Sequence, residues 1–497
     1  MARGKTPVPL DLPLPAAVDE NGNAVNKHDR AYRALRDAIL ERLLPEGARL
    51  PSSRLLAERW QLSRGTVESV FDRLRAEGYV TRLGGSGTRV CAVIPDNYLH
   101  APPPRDAKRA SAAAAKRARS TQRAAQAAAP EGARVGVPFV AKLANPRLFS
   151  TEAWVRHVQR AIASASLELL CSAQPSGMAP LREQIAAYLR AHRGVACHAD
   201  DVIVTTGIRH AIDLIARSTL REGDKVCVED PGYRAVHRIF ELTGASLVHA
   251  SVDAQGVKVD TVREHAGVRL AYVTPAHQSP LGVTMSATRR LALLEWAAER
   301  DAWIIEDDYD SDFRYQSAPL PALKAIDRGE RVIYCGSFNQ ALFSNLRIGY
   351  MIAPEAIRTR ILALWQTIGR SVGVTEQLGL AAFIERGALV QHLRVARLEY
   401  LKLRDIVMSG LSVAPAVAQG RARITGAEAG FHFILWLPRP WSEAAFCKAA
   451  QAQGVALQPL ASLCHAVRLP PAVVIGYTAL TAAQARLATK QLAALLT

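Results

Sequence analysis

The chain has 497 residues, too many for one ordinary domain, and its 49% hydrophobic and 22% charged content excludes disorder throughout. A formal charge of +17 favours a polyanionic partner, nucleic acid above all, although a basic soluble enzyme would share it. Seven cysteines with no Cys-x-x-Cys pair exclude a disulfide framework, fit reduced thiols, and leave no expected metal site.

The basic start, Met1-Ala-Arg-Gly-Lys, is followed by an apolar run that Pro13 and Pro15 interrupt, so no signal peptide is expected. No apolar run reaches membrane-spanning length, and a soluble, cytoplasmic protein with no membrane partner is expected. From His28 to about Leu44, Tyr32, Leu35, Ile39 and Leu43 recur at helical spacing, and Pro45-Glu-Gly47 stops the pattern. In Leu50-Pro-Ser-Ser-Arg54 either Ser52 or Ser53 can cap a second helix. Ser63 caps a third, Arg64 to Glu77, with Val67, Val70, Phe71 and Leu74 inward. Gly78–Arg82 and Thr88–Ala92 read as strands around a glycine-rich wing, which makes a winged helix-turn-helix, an α+β unit.

Leu50-Pro-Ser-Ser-Arg54, Leu62-Ser-Arg-Gly-Thr-Val67, Arg73-Leu-Arg-Ala-Glu-Gly-Tyr79 and Gly85-Ser-Gly-Thr88 resemble the GntR-type DNA-binding domain. The resemblance places the third helix in the major groove, with Arg64, Gly65 and Thr66 nearest the bases and Ser63 at its cap. Ser53 and Arg54 would hold phosphate, and Gly85 in the wing would let the chain approach the backbone or minor groove. The competing reading of these arginines is a solvated helix face.

Residues 1–94 are thus assigned to the DNA-binding domain and 95–136 to a basic Ala/Pro-rich linker. From Pro102 onward Arg105, Lys108, Arg109, Lys116, Arg117, Arg119, Arg123 and Arg134 outnumber Asp106 and Glu131. Large apolar residues are too few there for a core. The stretch reads as a soluble spacer or as a source of non-specific phosphate contacts.

From Pro138 helices alternate with short apolar strands such as Val202–Val204, Lys225–Val228, Leu270–Val273, Trp303–Ile305 and Val332–Tyr334. That alternation predicts an α/β unit with a mainly parallel sheet and a ligand site at its strand ends. A smaller α+β part with a strand over Gly430–Leu437 ends the chain. Residues 137–497 resemble the aminotransferase-like domain of fold-type I pyridoxal phosphate proteins, and the whole layout resembles MocR-type transcriptional regulators.

The motifs carrying the resemblance are Glu229-Asp-Pro-Gly-Tyr233, Thr274-Pro-Ala-His-Gln-Ser-Pro-Leu-Gly282, Glu306-Asp-Asp-Tyr-Asp310 and Gly336-Ser-Phe-Asn-Gln…Leu-Arg-Ile-Gly-Tyr350. It implies Tyr233 stacked on the cofactor ring, Asp307 at the ring nitrogen and Tyr309 at the ring hydroxyl. The N–H groups beyond Gly207, with Ser337 and Arg347, would hold the phosphate.

At the Schiff-base lysine position stands Gln340, whose amide nitrogen is no nucleophile, and no lysine lies between Lys324 and Lys402 to replace it locally. Asn339 replaces a serine, and Ser172 stands where a tyrosine is usual. Near Val473–Tyr477 some family members carry an arginine. No catalytic residue is therefore assigned. The expectation is a regulator binding an operator in double-stranded DNA, a homodimer, with any pyridoxal phosphate held non-covalently. The pocket could instead take the cofactor joined to an amine, another small anion, or nothing, serving only to dimerise. The rival is an aminotransferase with an added DNA-binding segment.

Overall fold

A computed structural model describes residues 12–16, 25–83, 87–91, 137–171, 174–315, 321–369 and 371–497. It divides into two compact units, Met1–Pro130 and Glu131–Thr497. The expected linker and wing residue Gly85 lie outside the described residues, as does Ser172.

The first unit is three helices and a hairpin: α1 Lys27–Leu40, α2 Ser53–Trp60, α3 Arg64–Ala76, β1 Val80–Leu83 and β2 Gly87–Val90. The two strands pair antiparallel. Its core joins Leu35 and Ile39 of α1, Leu56 and Trp60 of α2 and Val67, Val70, Phe71 and Leu74 of α3. Each such side chain stabilises the fold by about 1.5–3 kcal/mol on burial. The first helix is shorter than its apolar spacing predicts. Arg42 takes a left-handed φ of 59°, which turns Leu44 fully inward and leaves Leu43 53% exposed.

The second unit is built on an eight-stranded sheet, β3 Val202–Thr205, β4 Lys225–Asp230, β5 Ser246–Asp253, β6 Gly256–Val257, β7 Val268–Val273, β8 Trp303–Asp308, β9 Val332–Ser337 and β10 Gly349–Ile352. The order is β3-β10-β9-β8-β7-β4-β5-β6. Strands β5, β4, β7, β8 and β9 run parallel, while β10 is antiparallel to both of its neighbours. The sheet is apolar on both faces because both are covered. Alternation along each strand sends Val226, Leu270, Ile305 and Ile333 into the core under the helices Ile208–Thr219 and Glu355–Ile368. The intervening Cys227, Ala271, Ile304 and Val332 pack with Leu293 and Trp296 of the helix Ala287–Glu299.

A second, antiparallel sheet of four strands follows: β11 Arg423–Thr425, β12 His432–Trp436, β13 Gln458–Pro459 and β14 Ala472–Gly476, in the order β11-β12-β14-β13. Together the units are a winged helix-turn-helix and a fold-type I α/β architecture with a smaller α+β part, as the sequence predicts.

Candidate functional sites

In the first unit the sequence-predicted residues divide into outward and inward groups. Ser63 caps α3: its Oγ accepts from the Thr66 N–H at 3.1 Å and lies 2.7 Å from Thr66 Oγ1. That cap leaves Arg64 and Gly65 exposed on the first turn. Arg54, at the start of α2, is exposed as well. Ser53 is different. Ser52, not Ser53, caps α2, and the Ser53 hydroxyl is buried, donating to Glu68 Oε1 at 2.5 Å. Its expected phosphate contact is therefore corrected: this hydroxyl ties α2 to α3. Arg73 is also structural, bonding Asp29 and Glu77 at 3.0 Å each with its guanidinium 3.8 Å from the Tyr32 ring centroid.

In the second unit the parallel register aligns the predicted pocket residues along one sheet edge. Asp307 pairs with Cys335, Asp308 with Gly336, and Gly349 stands between Ser337 and Thr205. Gly349 and Gly207 approach so closely that a Cβ on Gly349 would lie 2.8 Å from the Gly207 Cα. Gly207, at φ 96°, starts the helix Ile208–Thr219, whose first N–H groups have no partner within the helix itself. Ser337 Oγ accepts from the Asn339 N–H at 3.2 Å, and Arg347 lies exposed on the following turn at φ 56°.

Asp307 is buried, and Tyr272 donates to its Oδ2 at 2.5 Å. Burial pushes its carboxyl up to about 7 against the opposing pull of the Tyr272 hydroxyl; Asp308 adds to the rise and Lys142 opposes it. Glu229 and Glu306 are raised to about 7 by burial too. Behind Asp307, Asp308 forms a buried ion pair with Arg193 at 2.7 Å and accepts from Tyr334 at 2.6 Å. The Tyr309 hydroxyl lies 3.3 Å from His277 Nδ1, which is itself 2.7 Å from Asp310. Tyr233 is half-buried, and its hydroxyl accepts from Arg209 Nε at 2.9 Å.

Gln340 Nε2 donates to the Lys142 carbonyl at 3.1 Å, and Gln340 Oε1 is buried with no hydrogen-bond partner among the described residues. Lys142 in turn extends its ammonium between the two tyrosines, 5.1 Å from the Tyr233 ring centroid and 5.8 Å from that of Tyr309. The sequence reading missed Lys142, Tyr272 and Arg209. Lys142 lies 198 residues from Gln340 on an aperiodic turn, so no spacing signal announces it.

The donor set suits pyridoxal phosphate chemically. It has a buried carboxyl for a ring nitrogen, aromatic faces, and a helix N-terminus beside a serine hydroxyl for an anion. The amide at 340 offers no amine.

A family model described as aminotransferase class I and II matches residues 144–489, and one described as bacterial regulatory proteins, gntR family, matches residues 27–90. The chain is 32% identical over 438 residues to the probable rhizopine catabolism regulatory protein MocR of Rhizobium meliloti, covering 88% of this chain and 87% of that protein. It is 32% identical over 429 residues to the pyridoxine biosynthesis transcriptional regulator PdxR of Corynebacterium glutamicum, covering 84% and 86% of the two. Among solved structures it is similar to the kynurenine aminotransferase of Pyrococcus horikoshii, with a TM-score of 0.67, 25% identity, and 81% and 98% of the two chains covered.

Proposed function

The chain belongs to the MocR-type family, a gntR-family DNA-binding domain joined to an aminotransferase class I and II domain, and from that premise we propose that its aminotransferase-like domain senses a small molecule rather than transforming one. The protein is a DNA-binding transcriptional regulator. Arg64, Gly65 and Thr66 read bases in the operator from the capped start of α3, and Arg54 holds phosphate. The chain acts as a cytoplasmic homodimer, so that two winged helices read two half-sites. Leu167, 80% exposed, and Val155, 50% exposed, are apolar side chains that a partner copy would cover.

The observation that carries the sensing reading is Gln340. Its amide holds the backbone of Lys142 and cannot bond a carbonyl ligand, so pyridoxal phosphate is not fixed at this position. When bound, that group supplies an aldehyde and an electron-withdrawing ring. The protein's part would be to position it: Asp307 would meet the ring nitrogen, Tyr233 would cover one face and Tyr309 would meet the ring hydroxyl. The N–H groups after Gly207, with Ser337 and Arg347, would hold the phosphate.

The test is to pass purified protein with pyridoxal phosphate through gel filtration, then assay it for operator binding and amino-acid turnover. Co-eluting cofactor that alters operator affinity, with no turnover above the free-cofactor background, is the expected result. Turnover well above that background would make the protein an aminotransferase with an added DNA-binding domain. Operator affinity indifferent to every ligand would reduce the large domain to a dimerisation scaffold.

A further inference from the structure

Lys142 enters the pocket from outside the loop that carries Gln340. It sits on the turn between Phe139 and Asn145 and adopts a left-handed backbone with φ 60°, as Phe139 does at 68°. A non-glycine residue keeps such a conformation only where its surroundings hold it there. One of the contacts holding it is the Gln340 amide on its carbonyl at 3.1 Å. The side chain then runs inward, and Nζ donates to Ser279 Oγ at 2.5 Å. It lies over the rings of Tyr233 and Tyr309, the two aromatics assigned to the ligand. Asp307 feels its positive charge, which places the amine within electrostatic reach of the carboxyl assigned to the ring nitrogen. The glutamine at the loop position thus anchors the main chain of a lysine whose amine reaches the same pocket.

We propose that Lys142 supplies the pocket's primary amine and bonds covalently to an aldehyde ligand of the pyridoxal class. The proposal rests on the reading of this pocket as a pyridoxal-type site, and it replaces strictly non-covalent retention with a bond made from an unexpected direction. The ammonium first gives a proton to solvent, leaving a lone pair on Nζ. That pair attacks the aldehyde carbon while the carbonyl π pair moves to oxygen. The oxygen leaves as one water carrying both remaining amine hydrogens, and a C=N bond is left. Nothing is oxidised or reduced, so no further reactant is needed.

The test uses the full chain, loaded with pyridoxal phosphate, gel-filtered, reduced with borohydride, digested and mapped by mass spectrometry. Borohydride delivers hydride to the C=N carbon and makes the bond permanent. The expected result is a pyridoxyl label on the peptide carrying Lys142, lost in both Lys142→Arg and Lys142→Met. Retention of unreduced cofactor by Lys142→Arg, together with an unchanged circular dichroism spectrum, would show that the label was lost through the missing amine and not through unfolding. Cofactor that co-elutes with the unsubstituted protein but is not fixed by borohydride overturns the role of Lys142 and leaves the pocket reading standing. Label spread over other lysines, as in denatured protein, overturns it too. No retained cofactor at all overturns both.

Discussion

Arg64 is the side chain on which DNA specificity is most directly tested. It is exposed on the first turn of a helix whose cap is satisfied by Ser63 and Thr66, whereas Arg73 on the same helix is held by Asp29 and Glu77. Arg64→Ala should weaken operator binding by about 1–3 kcal/mol if the side chain reads a base. Titrating the variant against operator and scrambled duplexes checks this; equal losses on both would make Arg64 a phosphate contact. Asp307 carries a second residue-scale prediction. Burial raises its carboxyl to about 7 from an ordinary 3.8, so the folded state binds the proton more tightly than the unfolded chain. The stability this contributes is complete below the unfolded value and is lost as pH rises through 7. Glu229 and Glu306 act in the same direction. Urea stability of the ligand-free second unit should therefore fall between roughly pH 4 and 7, by at most about 1.4 kcal/mol per pH unit for each group, and level off above that range. Asp307→Asn should make that slope shallower. An unchanged slope would mean that Asp307 is ionised in the ligand-free protein.

Among the elements, α3 depends on its cap. Ser63→Ala removes the side-chain acceptor of the Thr66 N–H, leaving it the carbonyl of residue 63 at 3.1 Å, and should cost about 1 kcal/mol, read as an earlier urea transition of the first unit. Weaker operator binding should accompany it, since the same turn presents Arg64. An unshifted transition would show that the carbonyl of residue 63 satisfies that N–H by itself. The cap was legible because serine before an apolar period marks a helix start. The strands were legible for a related reason. A sheet covered on both faces must be apolar at consecutive positions, as Val332, Ile333 and Tyr334 are. The strand-end placement of Asp307, Tyr309, Ser337 and Gly207 could be read from motif position alone. What escaped was tertiary. Ser53 turned inward because Glu68 lies one helix away, and Tyr272 meets Asp307 only through the register of β7 on β8. Lys142 reaches the pocket across a distance in sequence that no period spans.

For the molecule as a whole, a ligand in the large domain matters to transcription only if its binding and operator binding are coupled. The residues proposed for the pocket lie within 142–347 and those proposed to contact DNA within 54–66, so the two sites share no side chain. A ligand can shift operator affinity only by as much as its own affinity differs between two states of the protein. The coupling is then reciprocal: a ligand that tightens operator binding by some factor must itself bind tighter, by that same factor, to the operator complex. Couplings of about 1–3 kcal/mol, on the order of 5–150-fold, are ordinary for such systems. Two titrations measure it independently, operator binding with and without saturating pyridoxal phosphate, and cofactor binding with and without saturating operator. Both should be run at one fixed salt concentration, because a chain of charge +17 makes counterion release a large part of any DNA affinity. Equal factors, greater than one or less than one, would establish a ligand-gated regulator and give the sign of its response. Factors of one in both titrations would separate the pocket from the operator, leaving the large domain to act through dimerisation alone. With Gln340→Leu in place, the Lys142 carbonyl loses its amide donor and no new amine enters the pocket. A changed coupling factor in that variant would trace the response to the turn that Gln340 holds.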